Sequence, residues 1–136
     1  MRLTINTDGG ARGNPGPAAI GIVIKNAAGD LLYAHGEYIG KTTNNQAEYR
    51  ALLQAVKKAF ELGGAEIHCF LDSELLVRQL NYQYKVKDKN LAPLFLQVVN
   101  IAQHFKKITY THIPRAANTA ADALVNEALD EALKRH

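Results

Sequence analysis

A strand that runs into an aspartate and two glycines constrains this chain more than any other stretch. Leu3, Ile5 and Thr7 alternate with Thr4, Asn6 and Asp8, the two-residue period of a strand, and β-branched side chains are frequent. Such a strand is normally central and buried. A carboxylate at its tip is costly there unless something cationic sits beside it. Gly9 and Gly10 follow, and glycines let the backbone turn sharply or let another backbone come close. For a single Asp-Gly pair the ordinary alternative is an Asx-turn closing the strand. Three further acids at comparable positions weigh against it.

The rest of the chain supplies those positions. Residues 18–25 and 31–39 read as a second and third strand joined by a turn at Asn26 to Asp30, so the first three strands form an antiparallel meander. Thr43 and Gln46 match a capping box, and Ala47, Leu52, Ala55, Val56, Ala59 and Phe60 continue as a helix that Gly63 and Gly64 stop. Residues 66–71 are a fourth strand ending at Asp72, and 73–80 a short helix. Residues 81–89 are polar, rich in Tyr and Lys, and read as a loop. Leu91, Leu94, Phe95, Val98, Val99, Ala102 and Phe105 form a helical stripe, with Pro93 in its first turn. Residues 107–112 are a fifth strand, 114–118 a loop, and 119–134 a helix with Asn118 as its expected N-cap. Helical crossovers after strands three and four imply parallel neighbours. The expectation is α/β: one mixed five-stranded sheet, three antiparallel strands then two parallel, with helices on both faces.

At 136 residues, 47% hydrophobic and 21% charged, the chain reads as one globular domain, residues 1–136. No apolar run approaches the ~18 residues of a membrane span. The first residues go straight into a strand rather than a signal peptide. The single cysteine, Cys69, excludes an intrachain disulfide and suits a reducing cytoplasm. A net charge of +3 permits a polyanionic partner.

Asp8 and Asp72 end strands that are expected to be adjacent and to point the same way. Glu48 shares a helix face with Leu52, Ala55, Val56 and Ala59, and Asp122 shares one with Val125 and Leu129, so both acids point inward. Each alone is also a good helix or turn cap. Four such acids at converging ends would repel one another unless divalent cations bind, and oxygen-only ligands point to a hard ion such as Mg²⁺ or Mn²⁺. No CxxC or HExxH pattern argues for zinc. Gly10, Gly13 and Gly16 fit neither GxGxxG nor a P-loop, so no organic nucleotide cofactor is expected.

Taken together, four stretches resemble ribonuclease H type 1 in its compact bacterial and archaeal form. They run from Asp8 to Gly16, from Thr43 to Glu48, from Asp72 and Ser73 to Gln79, and from His112 through Asn118 to Asp122, in family order over nearly the whole chain. The resemblance implies the ribonuclease H-like fold. It also implies an endonuclease that hydrolyses the RNA strand of RNA–DNA hybrids, leaving 5′-phosphate and 3′-hydroxyl ends. Asp8, Glu48, Asp72 and Asp122 fall on the family's ligand positions for two Mg²⁺ ions, with Mn²⁺ as a substitute. Asp8 is implied to bridge the ions, Asp122 to help hold the one that activates water, and Glu48 and Asp72 the one at the leaving oxygen. His112 is implied to assist proton transfer or product release. The alternative is a strand-end histidine packed on the surface.

Substrate contacts are implied for Gly9, Gly10, Asn14, Thr43, Asn44, Asn45, Ser73, Arg115 and Asn118. Amides can read 2′-hydroxyls and base edges in the hybrid's minor groove, and Thr43 and Arg115 can meet phosphates. The sequence departs from the family in having no Trp, in the short stretch 81–90 where many members carry a basic protrusion, and in Glu74 where a neutral amide is common. Lys85, Lys87 and Lys89 either replace some of those phosphate contacts or form a solvated charge run. No separate hybrid-binding domain is expected, and the chain is read as a monomer. Two other functions fit the same residues. One is a non-catalytic hybrid- or RNA-binding module on this fold, and the other a related nuclease that also cuts double-stranded RNA.

Overall fold

The computed structural model describes residues 1–134; Arg135 and His136 of the expected domain lie outside the described residues. The strands are β1 (Arg2–Ala11), β2 (Gly16–Asn26), β3 (Leu31–Thr42), β4 (Glu66–Leu71) and β5 (Lys107–His112). The helices are α1 (Asn44–Glu61), α2 (Glu74–Leu80), α3 (Ala92–Ala102) and α4 (Thr119–Lys134), with a 3₁₀ turn at Arg115–Ala117. One sheet has the order β3-β2-β1-β4-β5. β2 pairs antiparallel with β1 and β3, while β4 runs parallel to β1 and β5. This is the mixed sheet expected from the order of elements.

β1 is central because it is apolar at alternate positions and has a partner on each side. Its Leu3 and Ile5, together with Ile20, Ile22 and Ile24 of β2 and Ile67 of β4, face α1, where Leu52, Ala55, Val56 and Ala59 close the main core. The other face of the sheet is covered by α4, whose Val125 and Leu129 pack on Ala19. That second layer is thin. At Gly21 an added Cβ would lie 2.3 Å from the Ala121 carbonyl oxygen, and at Gly36 2.8 Å from that of Leu124. The two glycines let the helix backbone rest almost directly on the strands. No described helix is long and apolar enough to cross a membrane.

β2 and β3 run longer than expected, to Gly16 and Thr42, and two further boundaries differ in ways that bear on the site and core. β1 does not end at Asp8; Gly9 pairs with Ile20 and Gly10 with Ala19, and the strand runs to Ala11. β2 provides a ladder along this whole stretch, so no turn forms at the two glycines. The role of Gly9 is close approach. A Cβ there would sit 2.4 Å from the carbonyl carbon of Ala47 and 2.5 Å from the amide of Glu48, so α1 is pressed onto β1 at that point. The other boundary is that of α3, which stops at Ala102 while Phe105, beyond its end, is still buried. A helical stripe in sequence thus continues as a turn that caps the core.

Candidate active site

The parallel register sets the site. Thr7 of β1 stands opposite Leu71 of β4, so the next residues along the two strands, Asp8 and Asp72, come level at one end of the sheet. Glu48 reaches the same point from the N-terminal part of α1, held there by the contact at Gly9. One carboxylate oxygen from each of Asp8, Glu48 and Asp72 lies within 4.8 Å of the others. Asp122, in the first turn of α4, faces the same cleft of about 430 Å³, as do Arg115, Asn44 and Asn126. All four acids predicted from sequence line this one space.

Burial and mutual repulsion hold protons on two of these groups. Asp8 is pushed up to about 7, first by burial and then by Asp72 and Asp122, although the Gly9 amide donates to its Oδ1 at 3.0 Å and opposes the shift. Glu48 is pushed up to about 8 by burial, then by Asp8 and Asp72, with a hydrogen bond from Ser73 and the charge of Arg115 pulling the other way. Carboxyls that keep their protons near neutrality, this close together, are a site in which a divalent cation can take the place of those protons. The donors are all oxygens, so the residues present fit a hard cation such as Mg²⁺.

The flanking residues separate into those the cleft uses and those the scaffold uses. Thr43 is the N-cap of α1, its Oγ1 accepting from the Gln46 amide at 3.2 Å. Gln46 turns instead to the Thr42 hydroxyl, so the box is not closed reciprocally. The Asn44 Oδ1 accepts from the Ala11 amide at 2.7 Å and the Asn14 Oδ1 accepts from the Asn44 amide at 3.1 Å, tying the β1–β2 connection to the start of α1. Asn45 is exposed beside them. Ser73 caps α2 by accepting from the Leu76 amide at 3.3 Å while it donates to Glu48. The Arg115 guanidinium lies 3.2 Å from Asp122 Oδ1. Gly10 lines the cleft as well.

Two residues stand elsewhere than expected. His112 is exposed at the end of β5, level with Leu71, and is not among the residues lining the cleft. Asn118 is only 1% exposed, and its side chain does not cap α4. Its Nδ2 donates to the Thr7 carbonyl and to Asp72 Oδ2, both at 2.9 Å, and its Oδ1 accepts from Asn6 at 3.1 Å. A buried carbonyl and a buried carboxylate both need donors here, and that need outweighs a cap at a solvent-facing helix start. Sequence reasoning missed three contributors. Asn6 supports Asn118, Asn126 donates to Asp122 Oδ2 at 3.3 Å, and Arg12 lines the cleft while pairing with Asp130 at 2.7 Å. Asn126 was within reach of sequence reasoning, since it lies one helical turn after Asp122.

Residues 6–128 match the family described as Reverse transcriptase-like. The bifunctional protein Rv2228c of Mycobacterium tuberculosis is 43% identical over 133 residues, which are 97% of this chain and 36% of that protein. Ribonuclease HI of Halobacterium salinarum is 42% identical over 125 residues, 92% of this chain and 63% of that protein. This chain therefore spans about a third of the first relative's length (36%) and just under two-thirds (63%) of the second's. The crystal structure of RNase H1 from the same halophilic archaeon superposes with a TM-score of 0.93, covering 96% of this chain and 99% of that one at 40% identity. LC11-RNase H1 in complex with RNA/DNA hybrid superposes at 0.90 with 45% identity, covering 96% and 99%. The chain belongs to the Reverse transcriptase-like family and, within it, to the type 1 ribonucleases H.

Proposed function

We propose that this protein is an endoribonuclease that hydrolyses the RNA strand of RNA–DNA hybrids, leaving 5′-phosphate and 3′-hydroxyl ends. The observation that carries the reading is the convergence of Asp8, Glu48, Asp72 and Asp122 on one cleft, in a chain so similar to a protein seen with RNA/DNA hybrid. Those four carboxylates would hold two Mg²⁺ ions, or Mn²⁺ in their place. Bound there, such ions supply a nucleophile from water at neutral pH and charge stabilisation at the leaving oxygen.

The chain's own residues place the hybrid. The Oδ1 atoms of Asn14 and Asn44 are committed to backbone amides, so their Nδ2 groups and the exposed Asn45 are the donors turned toward the minor groove. There a 2′-hydroxyl distinguishes the RNA strand. Gly9 and Gly10 keep the floor of the cleft free of side chains, and Thr43 stands at a helix N-terminus that favours a phosphate. Arg115 spans the cleft edge beside Asp122 and would meet the scissile strand's phosphate. His112, exposed at the sheet end, is assigned proton transfer or product release from outside the cleft. The reading takes residues 1–136 as one catalytic domain, acting as a cytoplasmic monomer.

The test is cleavage of one end-labelled sequence as RNA–DNA hybrid, duplex RNA, duplex DNA and single-stranded RNA, with Mg²⁺, with Mn²⁺ and with EDTA. The expected result is metal-dependent cutting of the hybrid's RNA strand alone. Hybrid binding without any cutting would overturn the reading in favour of a binding module. Equal cutting of duplex RNA would remove the specificity assigned to the asparagines.

A further inference from the structure

Asp72 is anchored by an amide, and that amide is anchored in turn. Asn118 has three polar partners: both N–H donors are used, to Thr7 O and Asp72 Oδ2, and Oδ1 accepts from Asn6 Nδ2. The orientation of the amide matters, because the two ends of Asn118 are chemically opposite. Turned by a half-rotation, its oxygen would face a carbonyl and a carboxylate, both acceptors, and Asp72 would lose its donor. Asn6 removes that option by presenting an N–H on the other side. Asn6 lies on β1 two residues before Asp8, so its side chain emerges on the same face of the sheet as that of Asp8. It does not line the cleft.

We propose that Asn6 and Asn118 form a positioning relay that fixes the Asp72 carboxylate for cation binding, with Asn6 setting which way the Asn118 amide points. The proposal rests on the reading of Asp72 as a cation ligand. Neither residue lines the cleft. Both act through Asp72, whose carboxylate would otherwise be free to rotate away from Asp8 and Glu48.

The relay makes a distinctive prediction for Asn6→Asp. A carboxylate has no N–H to give, so it accepts from the Asn118 amide and turns it around. This change adds no bulk, yet it should weaken Mg²⁺ binding to the hybrid-free protein and lower kcat, each by about tenfold or more, with KM for the hybrid unchanged. Asn6→Ala frees the amide without forcing it and should give a smaller loss in the same direction. Calorimetric titration with Mg²⁺ measures the binding without any reaction. The side-chain amide signal of Asn118 in a ¹⁵N spectrum of the metal-free protein reports the rotation directly, and it should shift in Asn6→Asp.

Mg²⁺ affinity and kcat within twofold of the wild type in a folded Asn6→Asp would overturn the relay. So would a lowered melting temperature with unaltered Mg²⁺ affinity, which would make the pair merely structural. If Asn6→Asp does not fold, Asn6→Ala decides by the same two readouts. Failure of the wild-type protein itself to bind Mg²⁺ or cut the hybrid would strike the functional reading instead, so the two failures are distinct.

Discussion

Two helices each deliver one acid to the cleft, and they are held in different ways. α1 carries Glu48 and is packed into the main core through Tyr49, Leu52, Val56 and Ala59, all fully buried. α4 carries Asp122 and lies on a thin layer of Ala19, Val125 and Leu129, with its backbone on Gly21 and Gly36. The electrostatics differ in the same sense. Glu48 is half-buried among acids and pushed up to about 8, whereas Asp122 already has a cation, Arg115, at 3.2 Å and an amide, Asn126, at 3.3 Å. One side of the site is rigid and only weakly compensated, by Ser73 and the more distant charge of Arg115. The other is lightly seated and already partly neutralised. The rigid side needs the cations more.

That contrast predicts unequal losses from equal chemistry. Glu48→Gln should lower cleavage of the hybrid by about a hundredfold or more, and Asp122→Asn by only about tenfold, since Arg115 and Asn126 remain to meet the substrate's charge. Steady-state rates at saturating Mg²⁺ check this, and equal losses would break the comparison. The glycines sharpen it further. Gly9→Ala drives a methyl into the α1 backbone, which the large core prevents from yielding, and should cost about 3 kcal/mol of stability. Gly21→Ala strikes α4 just as closely, but this helix can ride outward over small side chains, so about 1 kcal/mol is expected. Activity should nevertheless fall in Gly21→Ala, because Asp122 moves with the helix. Denaturant unfolding beside a rate measurement separates the two effects.

The smallest effect is one of pH. Asp8 and Glu48 are both raised, so between about pH 4 and 8 the folded chain holds protons that the unfolded chain has released. Their contribution to stability is therefore greatest at the acid end and is lost as pH rises through about 7 and 8. Without metal, the melting temperature should drop from pH 5 to pH 9 on account of these groups. Glu48→Gln should remove a large part of that drop, as should excess Mg²⁺. An identical pH slope in wild type and variant would refute the assignment for Glu48.

Much of this was legible in the sequence because it rests on local periodicity and element order. The alternation around Leu3 and Ile5, the stripe from Ala47 to Ala59 and the crossovers after β3 and β4 gave the sheet and its mixed direction. The four acids were legible for the same reason, since each sits at a position an element boundary defines. What was not legible depends on contacts between distant parts of the chain. Gly9 and Gly10 resemble a turn until β2 is seen beside them. Asn118 resembles a helix cap until Thr7 and Asp72 are seen to need its donors. Asn6 is an unremarkable strand residue, and its role depends on a side chain 112 positions away.

The register of β1 with β4 carries a consequence for how the protein comes into being. Arg2 waits for Glu66, and Thr7 for Leu71, so one whole side of the central strand is paired only after α1 has crossed over the sheet. Closing so long a loop costs entropy before any contact repays it, and the partly made chain meanwhile carries an open strand edge. Asp122 arrives later still. The four acids are therefore scattered along nearly the whole length of the polypeptide and are brought together by topology alone. A molecule folded only as far as β4 would bring Asp8, Glu48 and Asp72 together without Asp122, so the full set of four acids marks a completely folded chain. Ions that bind there would drain the population of immature chains by mass action.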